Sequence, residues 1–292
     1  MRRFGGRNSM KPMERIWRYV ETWEGDPAFH MALDEAMMML LGERRIPPTL
    51  RFYTWRPSAL SLGMHQDAAT SVDLHAVRAL GVGLVRRPSG GRTVFHDREL
   101  TYSVVVREDD ARMPKGLMAA FRRLTEGLKR GYHRLGIFDA TLNSASDAPE
   151  SKENTPVCFD TPGAYELVIG GKKAAGSAQT RRGGVLLQHG SLPLSYDVET
   201  MFRLFYFPSS EARARAIARF HATATSIEAA LGRPVTLEEV RDAMLFGFGQ
   251  ALGVEFVPGS LTAEEQALAQ RLAAEKYTNP EWTFKKSDPL RA

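Results

Sequence analysis

"AYELVIGGKKAAGSAQTRRGGVLLQHGSLPL", residues 164–194, holds three runs of strand-forming residues separated by two glycine pairs. Gly170-Gly171 and Gly183-Gly184 supply the left-handed backbone that two-residue hairpin turns need. Strands joined by such turns run antiparallel, whereas a doubly wound array needs a long crossover between parallel neighbours. Upstream, residues 15–23, 49–55, 59–66, 82–88, 92–96 and 99–106 read as further strands, punctuated by Pro57, Gly63, Pro88 and Gly90-Gly91. Two helices interrupt them. Asp26 caps and Pro27 opens the first, over 26–45, whose Met37, Met38 and Met39 read as core filling. The second, over 116–136, is amphipathic and stops at Gly136. Beyond Asp197 the apolar spacing turns helical over 197–207, 209–231, 236–252 and 262–275. A strand-rich front and a helix-rich back predict an α+β fold with a mixed or antiparallel sheet flanked by helices. No repeat or long linker divides the chain. One domain is expected over 14–285, between a mobile basic tail (1–13) and a short C-terminal tail (286–292).

The 292 residues are 43% hydrophobic and 25% charged, the balance of a globular protein with a substantial core. No apolar run approaches the ~20 residues of a membrane helix. A single cysteine allows no internal disulfide, which points to a reducing, cytoplasmic setting. The start, "MRRFGGRNSMKPMERI", is basic but lacks the apolar centre of a secretory signal. The net charge of +5 suits nucleic acid, an acidic protein partner or an anionic small substrate. Lysine and arginine occur in scattered pairs without interleaved aromatics, so charge alone does not choose among the three.

Three stretches carry chemistry. In "RRPSGGRTVFHDRELTYS" (86–103) two arginines end a strand, and Gly90-Gly91 allow close backbone approach. The stretch is either a loop for an anion or polarised carbonyl, or an ordinary glycine hairpin; the spacing of a Walker loop is absent. Lys173, in "GGKKAAGSA", is either a solvated hairpin lysine, as Lys172 is read, or a cation reaching a cleft past the small Gly176 and Ala178. Cys158, the only cysteine, is either a small buried hydrophobe or a nucleophile. It follows a polar segment, 142–156, expected to be a mobile lid, and Asp160, Thr161 and Gly163 give it polar neighbours. His30, His65, His96 and His189 lack metal-ligand spacing. His189 reads as a hydrogen-bonded strand residue, while His96 ends a strand beside the glycine loop.

Together, "FHMALDEA", "RFYTWRPSALSLG", "RRPSGGRTVFHDRELTYS" and "KAAGSAQ…GVLLQHGSL" resemble the lipoate/octanoate branch of the biotin and lipoate protein ligase superfamily, in order, over roughly residues 15–285. One departure is His30, where the family helix more often opens with Asn. Within the branch, the Cys-Phe-Asp segment at 158–160 and the Gln-His-Gly-Ser run at 188–191 are similar to the cysteine-dependent octanoyltransferases. The resemblance implies the catalytic-domain fold of that superfamily. It also implies transfer of an octanoyl group from acyl carrier protein to a lipoyl-domain lysine, first that of the glycine cleavage H protein. Cys158 and Lys173 would be catalytic, as nucleophile and electrostatic partner. Arg87, Ser89, Gly90, Gly91, His96, Gly176, Ser177 and Ala178 would bind substrate. No ATP or metal would be required, and neither nucleic acid nor membrane would be a partner. The alternatives are an ATP-dependent ligase forming an acyl-adenylate with Cys158 incidental, an amidotransferase between lipoyl domains, and a non-catalytic docking subunit.

Overall fold

The computed structural model describes residues 15–144 and 163–285. The tails 1–13 and 286–292, most of the 142–156 segment, and Cys158 lie outside the described residues. The main sheet has six strands in the order β10-β11-β6-β2-β1-β12. These are β1 (Ile16–Gly25), β2 (Thr49–Trp55), β6 (Glu99–Arg107), β10 (Gly176–Arg182), β11 (Val185–Pro193) and β12 (Glu255–Pro258). β1 pairs in parallel with β2 and β12, while β2, β6, β11 and β10 pair antiparallel, so the sheet is mixed. The parallel step from β1 to β2 is made by α1 (Pro27–Gly42), where Asp26 accepts from the amides of Ala28 and Phe29 and Pro27 occupies the first turn. A second sheet packs β4 (Gly83–Arg86), β3 (Ala59–Leu62) and β5 (Val94–His96) in that order. A third joins β7 (Ala140–Leu142), β8 (Leu167–Ile169) and β9 (Lys172–Lys173).

The period-two alternation of β6 and β11 divides the interior. Leu100, Tyr102, Val104, Val106, Leu186 and Leu192 face α4 (Leu117–Arg134) and α8 (Leu237–Leu252), forming the largest apolar cluster. Val105, Val185 and Leu187 point the other way, against α1 and α9 (Ala263–Leu272). Along that second face the strands change from apolar to polar, through Ser103 and Thr101 on one and His189 and Ser191 on the other.

Both glycine pairs make the expected hairpins, with φ of +54° and +77° at Gly170-Gly171 and +59° and +73° at Gly183-Gly184. The 164–194 stretch nevertheless forms four strands, not three. β8 and β9 leave for the small sheet, because Ala174 and Ala175 carry the chain from one layer to the other. Helix 209–231 is corrected to two helices, α6 (Ser210–Thr223) and α7 (Ile227–Leu231). The break comes where Ala224 bridges to Lys173 and the Thr225 amide donates to the Lys173 carbonyl at 3.0 Å, after which Ser226 caps α7. Met37 and Met38 are core residues, but Met39 is 40% exposed. Strands β7 and β12 and the short helices α2 (Ala68–Ser71) and α3 (Leu74–Ala79) went unpredicted. No helix among the described residues is long and apolar enough to cross a membrane.

Candidate active site

Register places one row of residues across four strands: Tyr53 opposite Thr101, Thr101 opposite Ser191, and Ser191 opposite Gly176. Directly opposed residues share a face, as do residues two apart, so Trp55, His189 and Ala178 join this row. Together they floor a cavity of about 230 Å³, closed by Met31 of α1, by Ser61, Val94 and His96 of the second sheet, and by Lys173. Gly190 admits the neighbouring backbone: a Cβ there would lie 2.3 Å from the Gly176 carbonyl and 2.7 Å from the Tyr102 ring. Ser177 turns to the opposite face, where its hydroxyl meets that of Tyr102 at 2.8 Å.

The tight Gly170-Gly171 turn fixes Lys173 opposite Val168. Glu166 lies two residues before Val168 and so is diagonal to Lys173 on the same face. The Lys173 Nζ donates to Glu166 Oε1 at 2.8 Å, and both side chains are largely buried, at 3% and 13% exposed. The other carboxylate oxygen accepts from the Gly163 amide at 2.6 Å. Glu166 thus ties the lysine to Gly163, five residues after Cys158 in sequence. Lys172 instead points outward and donates to the His221 carbonyl at 2.9 Å.

Arg87 lines the cavity, yet its guanidinium is turned onto the protein. It donates to the Gly90 and Arg92 carbonyls at 2.7 and 2.8 Å, and to the Ser61 carbonyl at 2.7 Å. Its role is to brace the glycine loop, bringing Gly91 to the cavity wall while Gly90 stays behind it. Arg86 similarly gives its donors to backbone carbonyls of Gly63 and Thr283, pinning the C-terminal segment.

Two buried chains of hydroxyl, imidazole and carboxylate support the polar wall. In one, Ser61 Oγ meets His96 Nε2 at 2.7 Å and His96 Nδ1 meets Glu99 at 2.7 Å, with the His96 ring stacked 4.1 Å from Trp55. Thr101 and Ser191 also donate to Glu99. Burial would raise the Glu99 carboxyl, but His96 and these hydrogen bonds outweigh it and keep its pKa below the usual range. In the other, Ser89 Oγ meets His189 Nε2 at 2.5 Å and His189 Nδ1 meets Asp34 at 2.9 Å. Burial lowers the His189 pKa against the raising effect of Asp34. Asp34 also takes Arg51 at 2.7 Å, and the two partners hold its carboxyl well below the carboxylate range against the opposing effect of burial.

The expected residues Arg87, Gly91, His96, Lys173, Gly176 and Ala178 therefore converge on one cavity, Ser177 borders it with its hydroxyl turned to Tyr102, and Ser89 and Gly90 stand behind its wall. Unanticipated were Glu166, Glu99, Ser61 and Asp34. Hairpin register could have paired Glu166 with Lys173, and the His-x-x-Glu spacing could have flagged Glu99; Asp34 and Ser61 carry no local signal. A cation and several hydroxyls beside Met31, Tyr53, Trp55 and Val94 suit an acyl chain whose carbonyl lies at the polar wall. No cluster of three His, Cys, Asp or Glu among the described residues is placed to hold a metal.

The model of the lipoyl protein ligase A/B catalytic domain matches residues 26–249. The octanoyltransferase LipM of Brevibacillus brevis is 45% identical over 273 residues, spanning 92% of this chain and 99% of that protein. That of Symbiobacterium thermophilum is 47% identical over 277 residues, 94% of this chain and all of the relative (100%). Among solved structures, lipoate-protein ligase A bound with ATP superposes with a TM-score of 0.72 at 27% identity, covering 92% of this chain and 97% of its own. A bipartite lipoate protein ligase from Thermoplasma acidophilum, solved with its E2 lipoyl domain, gives 0.73 at 25% identity, with 91% and 95% covered.

Proposed function

The chain belongs to the lipoyl protein ligase A/B catalytic-domain family, and on that basis we infer that it is an octanoyltransferase that acylates a lysine of a lipoyl domain. Its near full-length similarity to octanoyltransferases supports the acyl group and the reaction class. The observation that carries the chemistry is Lys173, a buried cation held by Glu166 in the wall of a cavity whose remainder includes Met31, Tyr53, Trp55 and Val94.

The donor in this reading is a protein-borne thioester, octanoyl-acyl carrier protein, and the first acceptor is the glycine cleavage H protein. Cys158 gives up its proton and its thiolate attacks the thioester carbonyl; the carbon–sulfur bond to the carrier breaks, the carrier thiolate takes up that proton, and an S-octanoyl enzyme remains. The acceptor lysine, as the neutral amine, then attacks that carbonyl; the amide forms and the Cys158 thiol is released. Exchange of one thioester for another is nearly balanced in free energy, and the step from thioester to amide runs downhill, so ATP is not needed. Lys173 stabilises the oxyanion of both tetrahedral intermediates, a contribution of about 2.7–4 kcal/mol for one such donor. Each methylene of the chain buried against the apolar residues contributes about 0.8 kcal/mol to binding.

A second reading has support in the similarity to a lipoate-protein ligase that binds ATP. There the glycine loop and Lys173 would hold an acyl-adenylate and Cys158 would be idle. Incubation with octanoyl-acyl carrier protein without ATP, followed by intact mass measurement, separates the two. A hydroxylamine-labile octanoyl adduct, lost in Cys158→Ala, is expected. Unmodified enzyme, with lipoyl-domain acylation that depends on ATP, would overturn the transferase.

A further inference from the structure

A basic groove of about 760 Å³ lies between residues 111–114, the first turns of α4 and Tyr165. Arg122 and Arg123 line it, are exposed, and engage no carboxylate among the described residues. Glu126, which also lines it, is committed to Lys129 at 2.8 Å and Arg130 at 3.3 Å. Arg112 is matched by Asp110 at 3.0 Å. Two positive charges without a carboxylate partner among the described residues therefore face the groove, and the exposed Lys115 follows Pro114 in sequence. Met113, Pro114 and Met118 supply apolar wall, and Leu117, next to Met118 in sequence, is 52% exposed. Arginine, methionine and tyrosine around a concave surface are the residue types enriched where proteins bind proteins.

Tyr165 joins this groove to the active site. Its backbone is left-handed, φ +60°, a conformation that bulky side chains rarely adopt. The Arg122 guanidinium lies 5.6 Å from the ring centre, and the Tyr165 amide donates to the Asn143 carbonyl at 2.9 Å. Gly163 and Glu166, on either side of it in sequence, line the catalytic cavity, whereas Tyr165 lines the groove.

We propose that this groove docks the acidic face of the protein that delivers the acyl thioester. The assignment rests on the acyl-transfer reading above. It favours the donor over the acceptor because the groove and the cavity share no lining residue. A thioester on a long flexible arm can span that separation, whereas an acceptor lysine must reach the reacting carbonyl with its own four methylenes.

The test is the double charge reversal Arg122→Glu with Arg123→Glu, compared with the double alanine variant. Three quantities are measured: binding of unacylated acyl carrier protein, acylation of the enzyme by octanoyl-carrier protein against octanoyl-pantetheine, and discharge to a lipoyl domain. Expected is a loss of about tenfold or more in kcat/KM for the protein-borne donor, carried mainly by KM and weaker at high salt. Carrier-protein binding weakens in parallel, the alanine variant falls between, and octanoyl-pantetheine and discharge rates change by less than about twofold. Equal loss with both donors, or no loss with either, would overturn the proposal; loss confined to discharge would assign the groove to the lipoyl domain. If the parent enzyme were acylated by neither donor, the acyl-transfer reading would fail, and carrier-protein binding in parent and variant would still decide the groove.

Discussion

At the scale of single residues, the site depends on charges that the protein itself neutralises. Lys173 is buried against Glu166, and a buried cation without such a partner would be costly. Lys173→Ala should slow both acylation and discharge by on the order of 10²–10³, with an unchanged circular dichroism spectrum. Unaltered rates would remove Lys173 from the mechanism. His30 shows the same logic with opposite sign. Its Nε2 meets the Thr54 carbonyl at 2.8 Å and its Nδ1 meets Arg51 at 3.1 Å, which one neutral tautomer satisfies by donating from Nε2 and accepting at Nδ1. Burial first, and then the Arg51 charge, pushes its pKa from 6.5 down to about 3. The unfolded chain takes up this proton below about pH 6.5 while the folded protein does not. Stability is thus fully present above that pH and falls with acidification, by up to about 1.4 kcal/mol per unit. In His30→Asn the decline of the urea midpoint between pH 6.5 and 4 should be shallower, the remainder coming partly from His189. Parallel slopes in parent and variant would show that His30 does not carry it.

Strands and hairpins explain why these residues meet. Period-two alternation put Thr101, His189 and Ser191 on one face, and the tight β8–β9 turn set Lys173 diagonal to Glu166. The approach of β10 to β11 depends on Gly190. Gly190→Ala should destabilise the protein by about 1–3 kcal/mol in urea denaturation and reduce acyl transfer, because the new methyl collides with the Gly176 carbonyl. An unchanged midpoint and rate would mean that β10 moves aside freely. The break at 224–226 belongs to this scale as well. Residues 209–231 have helical spacing throughout, but the chain gives up a turn to bond with the Lys173 backbone. Tertiary hydrogen bonding there outweighs a helix preference worth only tenths of a kcal/mol per residue.

Across the whole molecule, the mixed sheet divides labour between its faces. One face packs α4 and α8 over an apolar cluster; the other grades from the α1–α9 cluster into the cavity. Part of the positive charge has a location too, since the exposed Arg122 and Arg123 engage no carboxylate among the described residues. Sequence by itself determined most strands of the main sheet, the two hairpins, the α1 cap and the residues of the glycine loop and lysine strand. Each depends on backbone conformation or periodicity within a few neighbouring residues. Only the tertiary structure decided that Glu166 serves Lys173, that Glu99 and Asp34 underlie the two imidazoles, and that Arg87 braces its own loop. It alone also decided that β12 closes the sheet beside β1. The physical reason is that burial, and the ion pairs and parallel ladders that burial requires, depend on distances between segments far apart in sequence, 239 residues for β1 and β12 and 247 for Arg18 and Glu265, on which local propensity carries no information.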